Sequence, residues 1–167
     1  MPHLRYDIAN NIATITLTNP PQNRIGVQMV TELEAAIDAM AHGDARVLLV
    51  RAEGPDFSFG GDISTWPGAT SHDLCAVFEG YLSVYNRFER LPIPTIAAVR
   101  GHCLDGGFEL VLRCDIVLAA QSSTFGHPEQ TLGITTLMGG IYRVAERAGR
   151  VFAAELGFTS QTVAADL

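Results

Sequence analysis

Leu104-Asp105-Gly106-Gly107-Phe108-Glu109-Leu110, followed by a second glutamate in Phe125-Gly126-His127-Pro128-Glu129, is the stretch on which the reading of this chain turns. It sets two carboxylates beside a glycine-rich turn. A helix that opens on glycine leaves backbone N–H groups without partners inside the helix, so a developing oxyanion can be held there while the glutamates move protons. The combination points to chemistry on a carbonyl compound. Each piece alone keeps a second reading. Glycines occur in turns for no chemical reason, Glu109 in a first helical turn complements the helix dipole, and Glu129 after a proline can sit in solvent.

The glycine turn joins a strand to a helix. Thr95 to Val99 is a short apolar run that predicts a buried strand, and Gly101 to Gly107 leads out of it. Phe57-Ser58-Phe59-Gly60-Gly61-Asp62 stands in the same relation to Val47-Leu48-Leu49-Val50. Either turn permits positive φ and a close approach of ligand to backbone. Neither offers G-x-G-x-x-G with an acidic residue about twenty positions on, and no G-x-x-x-x-G-K-[ST] is present, so NAD and ATP lose support.

Farther out, Leu4 to Ile8 and Ile12 to Leu17 alternate apolar with polar around Asn10-Asn11, which predicts a β-hairpin. Val27, Val30, Leu33, Ala36, Ile37 and Met40 recur at helical spacing with Gly43 just past them. Gly60 to Ser71 is irregular. A helix is expected from Ser71 or Asp73 to Arg90, closed by Leu91-Pro92-Ile93-Pro94. Ile116 to Ala120 reads as another buried strand, and Gly140 to Arg147 and Val151 to Leu156 as helices. Ser160 is a candidate N-cap for one more helix running to Leu167. This loose alternation of strands and helices, without a repeat, defines an α/β chain.

With 167 residues, 47% of them hydrophobic, one core can be buried and no segment has the character of a linker, so residues 1–167 are expected to form one domain. A formal charge of −7 and the lack of a Lys/Arg run argue against nucleic acid or an anionic membrane surface. Cys75, Cys103 and Cys114 have neither the number nor the spacing of a disulfide framework or zinc site. The N-terminus lacks the pattern of a signal peptide, and no apolar run approaches the ~20 residues of a membrane span. A soluble, cytoplasmic protein is expected.

Taken together the segments are more specific than any one of them. Phe57-Ser58-Phe59-Gly60-Gly61-Asp62-Ile63, Ala97-Ala98-Val99-Arg100-Gly101, Leu104 to Leu110, Cys114-Asp115-Ile116, Phe125 to Glu129 and Leu132-Gly133-Ile134 resemble, in order and spacing, the enoyl-CoA hydratase/isomerase (crotonase) superfamily. Ile15-Thr16-Leu17-Thr18-Asn19-Pro20 is similar to the family's first strand and turn, and Ala154 to Ser160 to a later helix. The resemblance implies a spiral α/β core of β-β-α units with two sheets. Because members of the family continue beyond the position of Leu167, it also implies a core lacking its C-terminal helices.

The same resemblance carries roles onto this sequence. The oxyanion hole would be the N–H groups of Gly61 and Gly106. Glu109 would activate water for attack at Cβ of a 2-enoyl-CoA, and Glu129 would deliver a proton to Cα, giving a 3-hydroxyacyl-CoA. Phe59, Asp62, Arg24 and Trp66 fall at substrate-binding positions. Trp66 either packs in the loop after Asp62 or lines the acyl pocket, while Arg24 either meets the CoA phosphates or is a solvated surface arginine. No metal is implied, and coenzyme A enters as part of the acyl-CoA thioester rather than as a separate cofactor.

Two other functions stay open at this stage. One is a double-bond isomerase working through Glu129 alone; the other is a catalytically silent acyl-CoA-binding or assembly module. A homo-oligomer, trimer or hexamer, is implied, and a chain that ends at Leu167 is expected to expose an apolar patch and self-associate. His102 and His127 read as local packing or hydrogen-bonding residues. Asp105 conflicts with the scheme, since it stands where many relatives have glycine and a carboxylate there opposes an enolate. It must point away or be neutralised.

Overall fold

The computed structural model of the chain describes residues 1–166. Strands β1 (Leu4–Ala9) and β2 (Ile12–Leu17) form the expected antiparallel hairpin, with Ala9 opposite Ile12. Asn10 and Asn11 turn it with φ of 52° and 61°, a left-handed pair that asparagine tolerates better than most residues. Helix α1 (Val27–Ala41) follows, burying Met29, Val30, Leu33, Ala36, Ile37 and Met40 along one stripe. Apart from Ala36, each such side chain contributes roughly 1.5–3 kcal/mol when fully buried.

Strand β3 (Val47–Ala52) lies parallel to β2. Helix α2 (Ser71–Glu89) starts with a capping box, in which Thr70 Oγ1 accepts the Asp73 N–H and Asp73 Oδ2 accepts that of Thr70. Strand β4 (Thr95–Val99) is parallel to β3. Then come β5 (His102–Leu104), the six-residue helix α3 (Gly106–Val111), β6 (Ile116–Ala119) and β7 (Thr124–Gly126). Helices α4 (Gly140–Ala148) and α5 (Arg150–Thr159) and strand β8 (Thr162–Ala164) complete the described chain. One sheet has the order β1-β2-β3-β4-β6, and a smaller one the order β5-β7-β8. The two-sheet α/β architecture agrees with the expectation.

Three sequence readings are corrected. Ser160 does not cap a helix: it ends α5 in a left-handed conformation (φ 57°), and Thr162–Ala164 instead pairs antiparallel with β7. The β-branched pair Thr162-Val163 and an open edge on β7 outweigh a cap signal that has no helix length behind it. The run Ile116–Ala119 is a strand but not a buried one, for it forms the edge of the larger sheet with Ile116 and Leu118 about half exposed. Within the irregular 60–71 stretch, Ile63–Thr65 forms a 3-10 turn, capped where Asp62 accepts the Ser64 N–H.

A set of buried polar contacts locks the two glycine turns together. Asn23, fully buried, donates to the carbonyls of Glu53 and Asp56 and accepts the Asn19 N–H. This holds Ile25 where its N–H reaches Gly60 O and its carbonyl receives the Asp62 N–H. Ser58 Oγ in turn donates to Asn23 O and accepts the Gly60 N–H. Gly107 packs on this serine so closely that a Cβ there would lie 2.5 Å from Ser58 Cβ. Below the second turn, Tyr85 of α2 donates its hydroxyl to Gly106 O at 3.0 Å, out of water.

Tyr85→Phe leaves the Gly106 carbonyl buried without that donor, so a destabilisation of about 1–2 kcal/mol is expected in urea unfolding with an unchanged m-value. A loss below about 0.3 kcal/mol would mean that the carbonyl finds another partner.

Candidate active site

Glu109 sits in the first turn of α3, 1% exposed, and Glu129 in the 3-10 turn Pro128–Leu132 that follows β7, 4% exposed. The β5-β7 pairing brings these turns side by side. The solvated reading of Glu129 is therefore excluded. Asp105, the residue before α3, completes a cluster in which one carboxylate oxygen from each of Asp105, Glu109 and Glu129 lies within 4.8 Å of the others. Together with Gly61 and Gly106 they line one small cavity of about 30 Å³, enough for a water-sized group. Apolar walls come from Ile25, Trp66, Phe78 and Met138.

The backbone fixes Glu109. Its Oε1 accepts the N–H groups of Met138 and Gly140, both at 2.9 Å, which leaves Oε2 available to the cavity. Burial raises the pKa of Glu109, while the Gly140 N–H and His127 oppose that shift and Glu129 adds to it. A buried carboxylate with an elevated pKa is a better base than a solvated one. Gly140 is required here as bare backbone: a Cβ on it would come within 2.3 Å of the His127 ring and 3.0 Å of Glu109 Cγ.

Gly61 and Gly106 also face one another, since a Cβ on Gly106 would lie 3.9 Å from Gly61 N. As first residue of α3, Gly106 has no acceptor within the helix for its N–H. The Gly61 N–H is taken: it donates to Asp105 Oδ2 at 2.6 Å. Asp105 therefore does not point away from the Gly61 N–H but caps it. Neutralisation is the other resolution the sequence allowed, and the surroundings of Asp105 push in that direction. Burial, then the Glu129 charge, drive the Asp105 pKa up to about 8 against the pull of the Gly61 N–H, with a hydrogen bond to Glu129 and the Glu109 charge adding to the rise.

The remaining expected residues divide between two flanking clefts. Asp62 and Trp66 border one of about 450 Å³, where Trp66 meets the edge of Phe78 at 5.5 Å. Phe59 and Arg24 border another of about 310 Å³ on the other side of Asp105 and Glu129. Arg24 is committed to protein, donating to Gln22 Oε1 and Gly61 O. A larger apolar cleft of about 750 Å³ between α4 and α5 holds none of the three carboxylates.

His127 was expected to pack or hydrogen-bond locally and does so beside Glu129, while Arg113 and Glu89 were not named from the sequence. His127 is 1% exposed, its Nδ1 3.4 Å from Glu129 Oε1 and its ring 4.9 Å from that of Phe108. Arg113, 4% exposed, donates to Glu109 O and Met138 O and so ties the 133–139 loop to α3. Glu89 pairs with Arg143 beside it. The visible signal for Arg113 was a charge at helical spacing from Glu109 inside an apolar run.

A sequence profile of the enoyl-CoA hydratase/isomerase family matches residues 7–166. The chain is similar to a probable enoyl-CoA hydratase of Bacillus subtilis (33% identity over 147 residues, 87% of this chain and 57% of the relative). It is also similar to a short-chain-enoyl-CoA hydratase of Clostridium acetobutylicum (33% over 159 residues, 93% and 60%). Among solved structures, an enoyl-CoA hydratase of Bacillus anthracis superposes with a TM-score of 0.92 at 28% identity, over 98% of this chain and 65% of that one. The chain thus spans somewhat more than half the length of the curated relatives it matches. No helix among the described residues is long and apolar enough to cross a membrane.

The raised Asp105 pKa fixes a pH dependence. An aspartate that keeps its proton up to about 8 when folded, against an ordinary value of 3.8, binds more protons folded than unfolded between those limits. Stability therefore falls as pH rises through that window and levels off above it. Urea titrations across the window should show the decline in the native protein and a flatter profile in Asp105→Asn. Equal slopes would mean that Asp105 titrates normally.

Proposed function

The chain belongs to the enoyl-CoA hydratase/isomerase family, and we propose that it serves hydration of a 2-enoyl-CoA thioester. The observation that carries this reading is the shared cavity in which Glu109, Glu129 and the N–H groups of Gly61 and Gly106 meet. In this scheme Glu109, oriented through Oε1 by two backbone donors, draws a proton from water through Oε2 as the oxygen attacks Cβ. The negative charge moves to the thioester oxygen, which the Gly61 and Gly106 N–H groups hold. Each such preorganised donor is worth roughly 3 kcal/mol of barrier. Glu129, ionised at rest, then takes over the proton that Glu109 drew from the water and gives it to Cα, so both carboxylates end as they began. The acyl chain follows the Trp66 and Phe78 side, and coenzyme A is part of the substrate, with no other cofactor required.

Hydration is favoured over isomerisation through Glu129 alone because the Met138 and Gly140 N–H groups hold a second carboxylate, Glu109, against the same cavity. The curated relatives named as hydratases support the same choice. A homo-oligomer acting in the cytoplasm on fatty acyl thioesters fits this chemistry.

The test follows loss of the conjugated enoyl absorbance of crotonyl-CoA. Glu109→Gln and Glu129→Gln should each lower kcat by about a hundredfold or more while coenzyme A thioesters still bind. Unaltered turnover in either variant contradicts the two-carboxylate scheme. Sensitivity to Glu129 alone would favour the isomerase, and thioester binding without turnover by the native protein the silent module.

A further inference from the structure

Asp105 is expensive to keep where it is. Its backbone, at φ 49° and ψ −127°, occupies a region that suits glycine and strains an L-residue. The carboxyl is buried beside two others, and Gly60 must lack a side chain to accommodate it, because a Cβ there would lie 2.3–2.6 Å from Asp105 atoms. Its Oδ2, 2.6 Å from Gly61 N, stands where a ligand oxygen on that donor would be. A glycine would remove all three penalties.

Resting on the thioester reading above, we infer that Asp105 is a further residue of the oxyanion site, whose neutral carboxyl group turns off Gly61 and donates its O–H to the ligand oxygen that takes its place. The carboxyl remains adjacent after turning because it is anchored on the residue preceding Gly106, the other backbone donor. An ionised Asp105 would instead face an enolate as a like charge in a dry cavity. A neutral carboxylic acid is an effective donor to an enolate oxygen.

The geometry beside Asp105 gives a proton a use there. Glu129 Oε2 is buried without a hydrogen-bond partner among the described residues, and Asp105 is the neighbouring carboxyl that shares a hydrogen bond with Glu129 when protonated. The titratable and charged groups beside Asp105 are Glu109 from α3, Glu129 from the turn after β7 and Tyr85 from α2, with Arg24 lining the cleft that Asp105 borders. Glu109 and Glu129 hold the proton on Asp105, while the sole guanidinium in this set is spent on Gln22 and the Gly61 carbonyl.

The probe is acetoacetyl-CoA, whose enolate carries the oxyanion without turnover and is read by near-ultraviolet absorbance, with total affinity from calorimetry. Two variants are compared with the native protein from about pH 6 to about pH 10, spanning the value of about 8 for Asp105. Asp105→Asn keeps a donor and stays uncharged, whereas Asp105→Gly removes the donor and suits the backbone, so it folds if Asn does not. Relative to Asp105→Asn, native enolate binding should be comparable near pH 6 and fall about tenfold or more once Asp105 ionises. Asp105→Gly should bind the enolate about tenfold or more weakly than native near pH 6.

If Asp105→Gly binds the enolate as tightly as native or tighter near pH 6, Asp105 is only a competitor for the Gly61 N–H and the inference fails. A native to Asp105→Asn ratio that does not change with pH also overturns it. In both cases the thioester still binds and the proposed function stands. Failure of all three proteins to bind any coenzyme A thioester refutes the proposed function and the inference with it.

Discussion

Three carboxyl groups withdrawn from water into one small cavity are the constraint to which the rest of this structure answers. Like charges at such separation cannot all be ionised in a low-dielectric space, so at least one proton must stay. The surrounding atoms determine where. Two backbone N–H groups on Glu109 Oε1 favour its charge, while Asp105 has a single N–H and two acidic neighbours and takes the proton. Protonation is therefore distributed by hydrogen-bond supply as much as by burial.

That supply depends on distant parts of the chain. The Met138 and Gly140 N–H groups reach Glu109 because Arg113 grips the Met138 carbonyl and because Gly140 presents no side chain to His127. The Gly61 N–H is aimed by the pairing of Ile25 with the Gly60–Asp62 turn, which Asn23 and Ser58 hold from beneath. Gly106 is placed by a six-residue helix too short for a large macrodipole, resting on the Tyr85 hydroxyl. Directed N–H groups, more than a helix field, set the polarity of this cavity.

Elements with strong local patterns were legible in the sequence, and elements made by distant pairing were not. The hairpin, α1, the start of α2 and strands β3 and β4 follow from alternation, helical spacing and capping residues within their own segments. Strands β5, β7 and β8 have three residues each and exist only because they find one another across 22 residues or more, as His102 with Thr124 and Gly126 with Thr162. No window around Thr162 contains that partner, so the Ser160 cap signal was misread. Ile116 and Leu118 misled in the opposite sense, because an apolar run does not reveal whether its strand is central or at an edge.

The site followed the same division. Glu109, Glu129, Gly61 and Gly106 were readable together only because the family resemblance carries roles onto segments spread from 57 to 129, and the structure gathers all four at one cavity. Asp105 was readable only as a conflict: the sequence showed a charge where an oxyanion should rest, without showing which way it pointed. His127 was legible only as a packing or hydrogen-bonding residue and Arg113 only as a charge inside an apolar run, since their partners Glu129 and Met138 are set by packing. The conflict at Asp105 was the more informative signal. Asp105 breaks local backbone preference, crowds Gly60 and buries a carboxyl group beside two others, and the hydrogen bond its side chain accepts from Gly61 sets those costs at the position that we assign to a ligand oxygen.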